Sequence, residues 1–260
     1  MTGREIREAY PFLYETHLHT MEASACAGSS GAEMAKACHE AGYTGIFVTD
    51  HNWGGNTAVG KRLGWQEFME RFIRGYESAR KMGDQIGLDV FFGWEAGYEG
   101  TEFLIYGLDT EWMIGHPELR DATVEEQFAL VHQGGGMVIH AHPFREEYYI
   151  PQIRLFPDWV DGVEGVNATH SNRLSLAHNE AMFDKRAIAY GREHGLPLTA
   201  GSDIHTAKRL LGGGMAFERR LKDGRDFVAA VRGQERYVLT NGEEWYDQSG
   251  NLLVGNSVCI

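Results

Sequence analysis

The chain reads as an α/β protein whose strands gather into a barrel related to the (β/α)8 form, with polar strand ends at one mouth. Short β-rich runs alternate with helical stretches, the pattern of parallel strands joined by helices. Seven such runs fit within 260 residues, the span of one large domain rather than several small ones. An open doubly wound sheet satisfies the same alternation.

The first strand is read at Tyr14–His19, followed by a helix over Ala32–Ala41 with Ser30 as N-cap and Gly42 as terminator. Gly45–Asp50 is the second strand. In the helix at Trp65–Met82, the residues Trp65, Phe68, Phe72 and Tyr76 share one face and mark core rather than a cofactor box. Strands at Asp89–Trp94 and Glu102–Tyr106 precede a helix at Val124–His132. Strands at Met137–Ala141 and Asp161–Val166 precede one at Leu174–His194. The last strand of the series, Leu196–Gly201, comes before a helix at Arg225–Gly233, and Arg236–Ile260 reads as a strand followed by irregular chain. Gly134–Gly136 and Gly212–Gly214 lack the G-x-x-x-x-G-K-[ST] pattern of a P-loop and read as turns before strands. No repeat or low-complexity linker divides the chain, so residues 1–260 are expected to form a single domain.

With 43% hydrophobic and 23% charged residues and 6 prolines, the composition excludes disordered and fibrous classes. No apolar run is long enough for a membrane span, and Met1–Tyr10 carries Arg4, Glu5, Arg7 and Glu8 where a signal core would be apolar. A soluble, cytoplasmic protein without a membrane partner is expected. The formal charge of −13 disfavours a nucleic acid polymer as partner. Cys26, Cys38 and Cys259 are odd in number and scattered, against a disulfide framework or a cysteine-based zinc finger. Oligomeric state leaves no mark in the sequence.

Histidines concentrate where strands end. His17-Leu18-His19-Thr20 ends the first strand, and the alternation of strand side chains points His17 and His19 to one face, where they can chelate one ion or bracket two. Taken alone, the pair reads equally as two hydrogen-bonded histidines. Thr49-Asp50-His51 closes the second strand, and Gly93-Trp94-Glu95 brings a carboxylate suited to bridging two divalent ions. His140-Ala141-His142-Pro143 ends the fifth strand with another same-face pair. Gly201-Ser202-Asp203-Ile204-His205 adds Asp203 and His205, with a helix-capping Asp as the competing reading. Five separated strand ends thus each offer His, Asp or Glu, and the fold brings them together in a multinuclear metal site. Imidazole and carboxylate without thiolate suit zinc, manganese or iron better than calcium.

The series resembles the PHP family, named for polymerase and histidinol phosphatase domains, over about Tyr14 to Phe217, leaving 218–260 as a C-terminal helix, strand and tail. The motifs stand in family order: H-x-H-T at His17–Thr20, T-D-H at Thr49–His51, G-x-E at Gly93–Glu95, H-P at His142–Pro143, G-V-E-x-x-N at Gly162–Asn167 and G-S-D-x-H at Gly201–His205. The resemblance implies a distorted (β/α)7 TIM-like barrel with the metal site at the C-terminal ends of the strands. It also implies two or three divalent ions. His17, His19, Glu95 and Asp203 would ligate one, Glu95 would bridge to a second that takes His142, and His51 and His205 would serve a third. Asp50 would orient an imidazole rather than ligate. Where relatives carry an Asp or His after H-x-H, this chain has Ser24 and Ala25, which leaves Glu22 as the nearby ligand for a hard ion and Cys26 as one that favours zinc. Where relatives carry a further histidine after G-x-E, this chain has Leu104, and His140 is a candidate to compensate.

Most members of the family are metal-dependent phosphoesterases, so hydrolysis of a small phosphomonoester such as a nucleotide, histidinol phosphate or sugar phosphate is expected. An ion-activated water held near Glu95 and Asp203 would attack phosphorus, with His205 or His170 assisting the leaving group. Arg145 can make two parallel hydrogen bonds to phosphate, and His170 and Asn167 are candidate substrate contacts. The alternatives are a phosphodiesterase or exonuclease, a phosphotyrosine phosphatase, or a metal-binding module without catalysis.

Overall fold

A computed structural model describes residues 2–255; positions 256–260, with Cys259 and the end of the expected tail, lie outside the described residues. The chain runs α1 (Gly3–Ala9), β1 (Phe12–Leu18), α2 (Gly31–Glu40), β2 (Gly45–Val48), α3 (Trp65–Phe72), α4 (Arg74–Ile86), β3 (Asp89–Tyr98) and β4 (Thr101–Tyr106). It continues α5 (Thr110–Ile114), α6 (Val124–Gln133), β5 (Met137–His140), β6 (Gly162–Asn167), α7 (Ala168–Ser171) and α8 (Met182–His194). It ends β7 (Leu198–Gly201), β8 (Gly213–Phe217), α9 (Gly224–Arg232), β9 (Tyr237–Asn241), β10 (Trp245–Tyr246) and β11 (Leu252–Val254). The expected strands all appear within a few residues of their predicted bounds. Capping boxes start α2 at Ser30 and α6 at Thr123.

Among the described residues eleven strands form one mixed sheet in the order β11-β10-β9-β8-β1-β2-β3-β4-β5-β6-β7. The sheet is curled. A single apolar cluster joins Tyr14 of β1, Phe47 of β2, Leu104 of β4, Ile139 of β5, Leu198 of β7 and Leu239 of β9, strands from both halves of the sheet order. Beyond the end of β7, Ile204 accepts from His19 N–H at 2.9 Å and donates to the His17 carbonyl at 3.2 Å, a parallel bridge back to β1. On the outer face, Ile46 and Val48 pack under Met34, Cys38 and Ala79 of α2 and α4.

The sheet is not parallel throughout, as alternation alone implied. Strand β4 runs antiparallel to both β3 and β5. The cause is local: β3 continues past Trp94 to Tyr98, and Glu99 (φ 49°) and Gly100 (φ 84°) form a two-residue turn with both residues left-handed, the geometry that joins a tight hairpin. Strands β8 and β9 also pair antiparallel. Two helices differ from expectation. The helix from Trp65 breaks into α3 and α4 at Ile73. The helix expected from Leu174 begins only at Met182, because the Asn172 and Ser175 side chains bond to neighbouring backbone groups at Leu174 and Ala177 and hold the segment out of a helix. Among the described residues no helix is long and apolar enough to cross a membrane.

Glu15 is buried where β1 meets the end of β7, and its Oε1 accepts from His17 N–H at 3.0 Å and Ser202 N–H at 2.8 Å. Burial pushes its carboxyl from 4.5 up to about 7, against the pull of those amides. A carboxyl raised on folding contributes its full stability below pH 4.5 and loses it as pH rises through about 7. Glu15→Gln keeps an acceptor for both amides but cannot ionise. In chelator-treated protein, urea unfolding at pH 5 and pH 8 is therefore expected to show the wild type losing up to about 3 kcal/mol relative to the variant at the higher pH. A difference independent of pH would refute the assignment.

Candidate metal centre

The end of β1 delivers the first pair. As alternation predicts, His17 and His19 share a face, with their Nε2 atoms 3.1 Å apart. His17 Nδ1 donates to Glu164 Oε1 at 2.8 Å, leaving Nε2 to face Glu95 Oε1 at 3.3 Å and Asp203 Oδ1 at 3.5 Å. A carboxylate behind an imidazole is the usual support of a metal ligand. His19 Nε2 lies 3.2 Å from the same Asp203 oxygen, and its Nδ1 meets Ser24 Oγ at 3.3 Å. Ser24 in turn donates to Asp50 at 2.6 Å, so Asp50 supports His19 through Ser24 and does not enter the cluster.

Residues of β3 and β4 and of the segments that follow β2, β5 and β7 converge on these rings. His51 forms a parallel bridge with Glu95, and its Nδ1 sits 2.8 Å from Glu95 Oε2. Neither atom makes a hydrogen bond, although both are buried. Two lone-pair-bearing groups in contact without a shared proton in line is the arrangement a common cation satisfies. His142 Nε2 meets Glu95 Oε1 at 3.1 Å. His205 donates through Nδ1 to the Asp203 carbonyl at 2.8 Å, and its ring stacks on His19. Glu102 of β4 lies 3.6 Å from His51 Nδ1 and 3.7 Å from His142 Nε2.

These atoms form four overlapping triads, each within 4.8 Å: His19, His51 and His205; His17, Glu95 and His142; His17, His19 and Asp203; His51, Glu95 and Glu102. The donor set of neutral imidazole and carboxylate suits a divalent cation. The electrostatics agree. Burial opposes charge on His17, yet Glu164, Asp203 and Glu95 raise its pKa well above the ordinary value. Burial likewise opposes charge on Asp203, and His17 and Arg145 hold it well below the carboxylate range. Burial, His51 and His205 together keep His19 neutral. Protons on imidazole thus stand where the carboxylates demand positive charge.

Not every expected site residue joins the cluster. Glu22 receives the Gly31 N–H on both carboxylate oxygens at 3.1 Å, at the start of α2, and is in none of the triads. Leu104 lies opposite Glu95 in the hairpin and packs in the core. His140 is buried against Phe103 with Nδ1 unbonded, and burial lowers its pKa to about 3. Asn167 and His170 are buried behind the site rather than lining it. Asn167 donates to Glu164 at 3.0 Å and His170 accepts from Arg145 Nε at 3.0 Å.

Arg145 does reach the mouth. Its Nη2 is 2.7 Å from Asp203 Oδ2, and it lines a cleft of about 540 Å³ together with Cys26, Glu102, Tyr149 and His178. Burial would raise the Cys26 thiol, but His205 and His51 bring it to about 7. Sequence reasoning missed Glu102, Glu164 and His178. Glu164 did leave a signal, since it is the carboxylate of the G-V-E-x-x-N segment at Gly162–Asn167, to which no role was assigned.

No family profile matches the sequence, and no curated protein does. Solved structures do match in fold. A two-domain protein from Bacteroides vulgatus, described as containing a predicted PHP-like metal-dependent phosphoesterase, superimposes with a TM-score of 0.62 at 14% identity over 88% of this chain. The match spans 64% of that protein's length. A provisionally named metal-dependent phosphoesterase from Bifidobacterium adolescentis gives 0.52 at 16% identity, over 84% of this chain and 94% of its own. An amidohydrolase from Chromobacterium violaceum, solved with sulfate and no metal, gives 0.51 at 13% identity over 74% of this chain and 87% of its own. The chain therefore has a PHP-type fold.

If the triads hold ions, Glu102→Gln should weaken retention of one of them about tenfold or more, read by elemental analysis after dialysis against a graded chelator. Glu22→Ala should leave metal content at the wild-type level. Equal losses in the two variants would contradict the placement of both residues.

Proposed function

We propose that the chain is a metal-dependent phosphoesterase that hydrolyses a small phosphomonoester, with its curled sheet forming a distorted (β/α)7 barrel in a single domain. The observation that carries this reading is the contact of Arg145 with Asp203 at 2.7 Å, which sets a guanidinium beside the carboxylate and imidazole cluster in one cleft. His17, His19, His51, Glu95, Glu102, His142, Asp203 and His205 would hold two or three ions of manganese, zinc or iron. Bound there, such ions polarise a phosphoryl oxygen and bring the pKa of water toward neutrality.

The chain's own groups do the rest. Glu95 and Asp203 are carboxylates of the cluster itself and also line the cleft, where they are suited to orient an attacking water. Arg145 Nε and Nη2 are engaged by protein, and Nη1 has no partner among the described hydrogen bonds, so it is the edge left for a phosphate oxygen. His170 has both ring nitrogens occupied and cannot protonate the leaving oxygen. His205, which lines the cleft, keeps one nitrogen free of hydrogen bonds among the described residues. The cleft lining holds a single arginine and no lysine, which suits one phosphoryl group better than a polyanion.

The test is phosphate release from nucleotides, sugar phosphates, histidinol phosphate and a phosphotyrosine peptide by protein reconstituted with each of the three metals. Release is expected from at least one small monoester, and Asp203→Asn should abolish it. No release from any monoester, or release that survives Asp203→Asn, would refute the proposal; oligonucleotide cleavage under the same conditions would point to a diesterase.

A further inference from the structure

We propose that His170 and Asp184 are positioning residues that lock the Arg145 guanidinium, so that helix α8 determines how the phosphoryl group is held. The inference deepens the phosphoesterase reading and rests on it for the identity of the anion.

Three side chains from separate elements meet in line. Asp184 stands in the first turn of α8, and its Oδ1 lies 2.8 Å from His170 Nδ1. His170, on α7, receives Arg145 Nε–H on its Nε2 at 3.0 Å. Arg145 then reaches Asp203 Oδ2 through Nη2. All three relay residues are at least nine-tenths buried.

The proton positions follow from chemistry. An arginine Nε can only donate, so His170 Nε2 must present its lone pair. A neutral ring then carries its proton on Nδ1, the atom that faces Asp184. Burial, Arg145 and His142 all favour that neutral ring. Burial also raises the Asp184 pKa, but the assignment does not depend on its charge: Oδ1 accepts the Asn167 N–H at 3.2 Å as well, and Ser171 Oγ occupies Oδ2 at 2.6 Å. The Asn167 N–H therefore marks Oδ1 as an acceptor independently of His170.

The guanidinium is consequently held on two sides. Nε is fixed by His170, and Nη2 by Asp203 and by Thr169 Oγ1 at 3.4 Å. What remains is the Nη1 edge, in a residue that lines the cleft. A long side chain with several free rotors loses much entropy when it binds an anion, and fixing it in advance removes that cost. Neither His170 nor Asp184 lines the cleft or belongs to a metal triad; the His170 ring stands edge-on to His142 at 6.4 Å, but its hydrogen bonds run to Arg145 and Asp184, and unchanged metal content in the variants separates the two routes.

The test uses the metal-reconstituted full chain and a pair of isosteric replacements. The amide of His170→Gln reaches the place of Nε2 and can accept from Arg145, whereas His170→Asn reaches only the place of Nδ1 and leaves Arg145 Nε unbonded. His170→Asn is expected to raise KM for the preferred monoester and Ki for inorganic phosphate about tenfold at unchanged metal content, with His170→Gln within about threefold of wild type. A structural role alone would move both variants together. Equal KM and Ki in His170→Asn and wild type would overturn the relay, as would nitrogen NMR showing the His170 proton on Nε2 in the wild type. That spectrum decides the matter even where His170→Asn does not fold. If wild type hydrolyses no phosphomonoester, the phosphoesterase reading fails separately, while phosphate affinity and the tautomer still report on the relay.

Discussion

Glu95 has no accessible surface, and a carboxylate in that position must be met by positive charge or it destabilises the fold that buries it. Four imidazole rings surround it, His51 at 2.8 Å, His142 at 3.1 Å, His17 at 3.3 Å and His19 at 3.5 Å, and against burial the neighbouring carboxylates drive His17 and His51 toward the charged form while His19 stays neutral. The architecture follows from that demand. Strand β3 is pinned beside the end of β2, because Glu95 N–H donates to the Asp50 carbonyl and the Glu95 carbonyl accepts from Asn52 N–H. Asp203, Glu164 and Glu102 add three more carboxylates in the same space, too many for the neighbouring rings to neutralise without protonation. Divalent cations held there would resolve the excess and release the protons, coupling ion binding to folding.

Backbone strain marks the same residues. His142 (φ 27°) and Asp203 (φ 53°) occupy the left-handed region that non-glycine residues avoid, a cost on the order of 1–3 kcal/mol each. Neighbouring contacts hold both. His142 N–H is taken by Glu164 Oε2 at 3.0 Å. Asp203 is bracketed by Ser202, whose N–H goes to Glu15, and by Ile204, paired with β1 on both of its backbone groups. The glycine before them has a steric reason, since a Cβ at Gly201 would stand 2.5 Å from the Cβ of His17. The G-S-D-x-H motif is thus a turn compressed against the first histidine pair.

What could be read from the sequence was set by periodicity and by chain order. Alternation put His17 and His19 on one face of β1, and His51, His142, Asp203 and His205 stand just beyond strand ends, whereas Glu95 lies inside β3, which runs on to Tyr98. Glu102 escaped because its role depends on pairing. Once β3 and β4 form a hairpin, Leu104 lies opposite Glu95 and Glu102 opposite Gly97, a register that hangs on the two-residue turn at Glu99 and Gly100. Parallel strands joined by a helix would have put Glu102 elsewhere. Glu22 was misplaced for a related reason: a carboxylate close in sequence to a ligand is equally close to the start of α2, where free N–H groups compete for it. His170 was assigned to the cleft from its position after Asn167, but α7 turns its ring inward to Asp184, 14 positions later in the chain, a distance no local pattern spans.

Asp203 joins the two halves of the site. Its Oδ1 faces His17 and His19, and its Oδ2 faces Arg145. One carboxylate therefore fixes the distance between the cluster that suits cations and the guanidinium that suits an anion. Any shift of Asp203 moves both, which explains why its surroundings are so over-determined: an ion pair on one oxygen, two imidazoles on the other, and main-chain bonds to either side. On the proposed function, a phosphoryl group placed between cations and an arginine would need that separation held within a fraction of an ångström. Here the tolerance is met by a short carboxylate on a strained turn, with fewer free rotors than a longer side chain on a relaxed loop would have.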